Sequence, residues 1–266
     1  MPSRNETAGG DPVALRSPSM CRFFAGIMRR QMRQGFRAVR LARPGLPDLP
    51  GDRPLLVYAN HPSWWDPAFF ILLAAEIFTD RESYGVIEAP MLEKYRFMRR
   101  IGLFGVERDP RRGGAQFLRT GERLMADPAR MLWVTAQGGF ADPRLRPPEL
   151  QGGVARLMAR CPETVALPLA VEYPFWSEKR PEALALFGTP VTHDGTEPPE
   201  ALNGRLSAAL DTAMGDLADR ATARDPAAFT RLLAGRSGVG GIYDAWGRLR
   251  AAAQGRRYVA DHMEET

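Results

Sequence analysis

At 266 residues, with 44% hydrophobic and 25% charged residues, the chain is long enough for one large α/β core and too apolar for a disordered or fibrous protein. Lys plus Arg number 36 against 31 Asp plus Glu, a net charge of +5 that suits nucleic acid, anionic lipid or phosphorylated ligands alike, so the placement of the arginines must decide. The two cysteines, Cys21 and Cys161, lie far apart and outside any CxxC pair or His-spaced cluster, which argues against a disulfide framework or a zinc site and fits a reducing compartment.

No run of 18 apolar residues occurs, and the polar start MPSRNETAGGDP lacks a signal peptide's apolar centre, so the expectation is a cytoplasmic protein that can sit on the inner face of the membrane. Residues 1–17 read as a disordered leader, followed by a single domain over 18–266. Residues 18–43 read as a basic amphipathic helix: Phe23, Phe24, Ile27, Met28, Met32, Phe36 and Val39 recur at spacings of three and four, flanked by Arg22, Arg29, Arg30, Arg33, Arg37, Arg40 and Arg43. Its greasy face suits a lipid headgroup layer or its own domain, and the two readings can hold for different faces.

A Pro/Gly linker, RPGLPDLPGDRP, precedes the short apolar strand LLVYA, which ends at Asn60, and PAFFILLAAEIF then reads as a strongly apolar helix. Further strands are predicted at ESYGVIEA, GLFGVERD, MLWVTAQ, TVALPLAVEY and EALALFGTPV, with helices around 90–100, 113–126 and 152–160 between them. The alternation predicts a mixed, mostly parallel sheet flanked by helices. Residues 199–266 are expected to be helical apart from the glycine-rich run AGRSGVGGIYD, which lacks the Lys-Ser/Thr ending of a phosphate loop and reads as a flexible loop before a short basic helix. His193 and His262 have no partner pattern and read as surface residues.

The turn YANHPSWWDPAFF places His61, Trp64, Trp65 and Asp66 where a strand hands over to a helix, the place where ligands gather in α/β sheets. Asp66 before Pro67 is a good helix start by capping alone. The functional alternative is an imidazole at a strand end whose ring nitrogen is held by a carboxylate, which makes a general base of fixed tautomer. Ser63 lacks the GxSxG setting of a nucleophile and reads as a turn residue. Trp64 and Trp65 would line an entrance, sit at headgroup level or fill core space under the turn.

The run NHPSWWD after an apolar strand resembles the first motif of the glycerophosphate and lysophospholipid acyltransferases. The resemblance implies that His61 deprotonates an acceptor hydroxyl, that Asp66 orients the imidazole, and that Asn60, Ser63, Trp64 and Trp65 lie at the substrate. LFGVERD resembles the second motif and carries Arg108 over as an acceptor-phosphate contact, since a guanidinium fork matches phosphate oxygens; the plainer reading pairs Arg108 with Glu107 or Asp109. The third motif, an apolar strand followed by Pro-Glu-Gly-Thr-Arg, appears here as WVTAQGGF. Gln137 replaces the acid, Gly138 matches, Gly139 replaces Thr, and Phe140 stands in place of Arg, with Arg144 and Arg146 as downstream compensation. VALPLAVEY resembles the fourth motif through Pro168, which also fits an edge-strand proline.

A divergent branch with altered acceptor specificity is implied. It would take acyl-CoA or acyl carrier protein as donor and a lysophospholipid, glycerol 3-phosphate or related lipid alcohol as acceptor, work on an anionic membrane surface, and need no metal or redox cofactor. Thioester hydrolysis and lipid binding without turnover are the alternatives. Nucleic acid is disfavoured, because the arginines gather on one helix and no recognition motif with stacking aromatics accompanies them.

Overall fold

The structure, a computed structural model, describes residues 10–235. In chain order the elements are α1 (Pro12–Leu15), α2 (Pro18–Gly35), β1 (Ala38–Ala42), β2 (Leu55–Ala59), α3 (Asp66–Ile77), β3 (Glu82–Glu88), α4 (Ala89–Lys94), β4 (Leu103–Val106), α5 (Pro110–Met125), β5 (Arg130–Thr135), α6 (Gly153–Arg160), β6 (Val165–Glu172), β7 (Ala183–Phe187), α7 (Pro199–Ala223) and β8 (Phe229–Ala234). A 3-10 turn at Arg96–Ile101 leads into β4, and another at Pro226–Ala228 into β8.

All eight strands form one sheet in the order β4-β3-β5-β2-β6-β7-β1-β8. Pairing is parallel except for β6 with β7 and β1 with β8. The expected single mixed, mostly parallel α/β sheet is therefore what the chain forms. Strand alternation divides the core in two. Leu56, Tyr58, Leu132, Val134, Ala166 and Ala170 face α5, α6 and α7, whereas Leu55, Val57, Met131, Trp133, Val165 and Leu167 face α2 and α3. Tyr58 also ties α7 to the sheet by donating its hydroxyl hydrogen to the Leu206 carbonyl at 3.0 Å.

Four expectations are corrected. The basic helix expected over 18–43 stops at Gly35, and residues 38–42 form β1, buried at every position between β7 and β8. The helical phase of its arginines is overridden because Arg40 is needed inside: its Nε lies 3.0 Å from Glu182 Oε2 and its guanidinium lies over the Trp176 ring. The expected leader contains α1, whose Asp11 caps the Val13 amide at 3.1 Å. Within the expected C-terminal helical region, Phe229–Ala234 is strand β8, drawn into the sheet by antiparallel pairing with β1. His193 is buried rather than on the surface, because the local turn satisfies both ring nitrogens, Nδ1 from the Gly195 amide at 3.0 Å and Nε2 at the Glu197 carbonyl at 2.9 Å. The glycine-rich run from residue 236, the basic helix after it, His262 and residues 1–9 lie outside the described residues.

Pro168 is not at an edge but inside β6, between β2 and β7. Its carbonyl accepts from the Gly188 amide at 2.9 Å, one residue past the end of β7. A residue's N–H and C=O point to the same side of a strand, so the missing N–H faces the place where β7 has already ended and costs no ladder bond.

Candidate active site

Strands β4, β3, β5, β2 and β6 run parallel, so their carboxyl ends share one edge, and the residues just beyond those ends gather there. His61 follows β2, Gln137 follows β5, Tyr173 follows β6 and Arg108 follows β4. The apolar run Leu55–Ala59 is buried throughout, which fixes the height at which the chain leaves the sheet.

The turn from β2 to α3 is locked from both sides. Asn60 is 1% exposed and bonds both ways with the Val171 backbone: its Nδ2 donates to the carbonyl at 3.0 Å and its Oδ1 accepts from the amide at 2.8 Å. This side chain extends the β2–β6 pairing by one rung beyond the last residue of β2. The His61 amide donates to Gln137 Oε1 at 3.0 Å, and the His61 carbonyl accepts from the Ala141 amide at 3.0 Å. Gly138 makes the turn that brings Gln137 there, with φ of +74° and a Cβ position only 2.9 Å from the Gln151 side chain, so a larger residue is excluded twice over. A Cβ on Gly139 would meet nothing within 4 Å.

Within this frame His61 Nδ1 lies 2.6 Å from Asp66 Oδ2. Asp66 is wholly buried. Its carboxylate does not cap α3, as its place before Pro67 suggests; it turns back, accepting from the Ser63 amide at 3.2 Å through Oδ2 and from the Tyr173 hydroxyl at 2.6 Å through Oδ1. The Ser63 amide and the Tyr173 hydroxyl already use this carboxyl group as an acceptor, and with His61 Nδ1 assigned as its third donor the lone pair of His61 Nε2 is left for chemistry. The Tyr173 hydroxyl is held protonated, its pKa raised well above 10 by burial and by the adjacent Asp66 charge. The Ser63 hydroxyl accepts from the Trp65 amide at 3.2 Å, which makes it a turn-stabilising group.

One face of the imidazole is covered. The Phe140 ring lies 4.3 Å from that of His61, and Trp64 lies 5.5 Å from Phe140. Phe140 is 53% exposed and Trp64 74%, an aromatic rim at the mouth of the site, while the His61 side chain keeps 16% of its surface open. Trp65 turns inward against Phe36 at 4.9 Å and so belongs to the core beneath the turn.

The remaining candidates are placed elsewhere on the same edge. Arg108 stands beyond β4, three strands from β2 and so about 14 Å away across the sheet. Its partner is neither Glu107 nor Asp109 but Glu88, gripped through Nε at 3.0 Å and an Nη at 2.7 Å. Arg144 forks onto Asp142, and Arg146 reaches α7 to bond Asp211 at 2.7 Å. Arg144, Arg146 and Asn60 share a cavity of about 270 Å³ with Glu172 and Met214. By strand alternation Asn60 and Glu172 face α7, so the cavity opens on the opposite side of the sheet from His61 and Tyr173. Burial pushes the Glu172 carboxyl above its ordinary range. Among the described residues no cluster of three His, Cys, Asp or Glu could hold a metal ion.

Tyr173 is the residue that sequence reasoning missed. It closes the predicted strand TVALPLAVEY, yet its partner lies 107 positions earlier, and only the β2–β6 register shows that the two meet.

This arrangement sits on a fold already known from an enzyme. The crystal structure of the 1-acyl-sn-glycerophosphate (LPA) acyltransferase PlsC from Thermotoga maritima is similar at a TM-score of 0.56 and 14% sequence identity, over 75% of this chain and 80% of that one. No protein-family model and no curated protein sequence matches the chain.

Proposed function

We propose that the protein is an O-acyltransferase that moves a fatty acyl group from a thioester donor, acyl-CoA or acyl carrier protein, to the hydroxyl of a lipid acceptor. The observation that carries this reading is the 2.6 Å contact between His61 Nδ1 and the buried Asp66 carboxylate at the carboxyl edge of the sheet. The PlsC-like fold and the resemblance of NHPSWWD to the acyltransferase first motif support it.

His61 Nε2 takes the proton of the acceptor hydroxyl as its oxygen attacks the thioester carbonyl, and Asp66 stabilises the imidazolium that forms. Collapse of the tetrahedral adduct breaks the C–S bond, and the imidazolium returns the proton to the departing thiolate. One ester and one thiol result. Phe140 and Trp64 beside the base make the approach apolar, which favours a lipid alcohol over water.

The chain works at a membrane surface by this reading. Among the described residues no helix is long and apolar enough to cross a bilayer, but α2 carries exposed Arg22, Arg30 and Arg33 around exposed Phe23, with Phe24 stacked on Phe97 alongside. An anionic inner leaflet matches that surface. Phosphate on the acceptor would meet Arg108, whereas the third-motif turn offers the Gln137 amide and the Phe140 ring where the family has a charge of each sign, so acceptor specificity differs from that of the common branch.

Incubation with labelled acyl-CoA and a panel of lipid alcohols, with product mass analysis, tests the assignment. An acylated product formed by the wild type and absent with His61→Ala is expected. Free fatty acid as the sole product would assign hydrolysis instead.

A further inference from the structure

We infer that Tyr173 is a positioning residue for the base, setting the plane of the Asp66 carboxylate so that Oδ2 stays on His61 Nδ1 and Nε2 keeps its lone pair outward. The catalytic meaning of this rests on the acyltransferase reading; the positioning itself does not.

Asp66 has no solvent to hold it, so its rotation about the side-chain bond is determined by its donors alone. Oδ2 receives two, from His61 and the Ser63 amide, both in the same turn. Oδ1 receives the Tyr173 hydroxyl, which comes from a different strand. Without that donor the buried Oδ1 would be left unsatisfied, and the carboxylate would gain by turning towards whichever donor remains, sharing the imidazole proton less specifically. The hydroxyl also draws charge out of the carboxylate, which lowers its tendency to take the proton from Nδ1.

Tyr173 is itself tightly placed. Its ring lies 5.4 Å from Phe36 at the end of α2 and 6.0 Å from Phe69 in α3. Its own strand is held in register by the Asn60 clamp on Val171 two residues earlier. A rotation of the hydroxyl away from Asp66 is opposed by packing on both sides, as a positioning group requires.

The test uses the full-length protein without substrate first. Nitrogen-15 NMR of the His61 ring reports which nitrogen carries the proton in the neutral form. The wild type is expected to show one tautomer, protonated at Nδ1. Tyr173→Phe keeps the ring and removes the hydroxyl; it is expected to show exchange between the two tautomers and, in the acyl-transfer assay, a kcat lower by about tenfold to a hundredfold with KM for donor and acceptor unchanged, the scale of one lost hydrogen bond to a charged group. Incorporation of 3,5-difluorotyrosine at position 173, a stronger donor of nearly the same shape, provides the second variant should Tyr173→Phe fold poorly; it is expected to preserve the Nδ1 tautomer and move the Nδ1-bound proton resonance. A folded Tyr173→Phe protein with the wild-type tautomer and kcat, or a difluorotyrosine protein whose His61 signals do not move, overturns the inference. If the wild type acylates nothing, the enzyme assignment fails while the NMR readout still decides what Tyr173 does.

Discussion

Two polar pairs stand on the same edge of the sheet and behave as opposites. At the centre, His61 and Asp66 meet at 2.6 Å with the acid wholly buried and its two other bonds made to a backbone amide and a packed aromatic. At the rim, Arg108 and Glu88 meet at 2.7 Å with both side chains largely in water. The distances are alike and the environments are not. Burial removes every alternative partner, so the central pair can only stay as it is; at the rim, water and salt compete with the contact and a ligand oxygen can take it over at little cost. The central pair is therefore fixed by its surroundings, while the rim pair is open to competition from water and dissolved ions.

The strongest way to break that contrast is at the base. His61→Ala is expected to lower acyl transfer by about 10² to 10⁴-fold, the usual worth of a general base, with the folded state retained, as measured by product formation and circular dichroism. Asp66→Asn keeps the shape and loses the charge; kcat should fall by about tenfold to a hundredfold while donor KM holds. Asn60→Ala leaves the Val171 amide and carbonyl buried and unpaired, and a loss of about 3 kcal/mol in denaturant titration is expected, distinct from any effect on the base itself.

Glu172 sharpens the comparison from the other face of the sheet. Its folded pKa lies above the ordinary glutamate value of 4.5 because burial penalises the charged form. The unfolded chain ionises first as pH rises, so the group's contribution to stability is complete below pH 4.5 and is lost as pH climbs through the raised value. Glu172→Gln should therefore match the wild type in melting temperature at pH 4 and exceed it slightly at pH 7; an equal difference at both would show that the carboxyl is not penalised. Smallest of all, Arg108→Ala should leave folding and kcat alone and raise KM only for acceptors bearing phosphate.

Much of this edge could be read from the residues. LLVYA followed by Asn60, His61 and Asp66 announces a strand, a turn and a helix, because an unbroken apolar run meets a proline at the first turn of the next helix. The eventual partner of His61 is five residues away and so visible in a short stretch of sequence. Tyr173, Glu88 and Asp211 were not visible as partners, since strand order and register decide which distant residues meet, and neither is encoded in any local spacing. The β1 segment misled for a different reason. Arg37 and Arg40 continue the helical phase of α2, but they are buried polar residues of the domain interior, and a pattern of charges cannot say whether its arginines face water or a carboxylate.

The place of β1 between β7 and β8 has a consequence for synthesis. Strand β1, which ends at residue 42, waits for one partner that ends at residue 187 and another that ends at residue 234. On the ribosome that flank of the sheet stays open until nearly all of the described chain has emerged, and a nascent chain halted between β7 and β8 would leave one edge of β1 unpaired for other chains to add to.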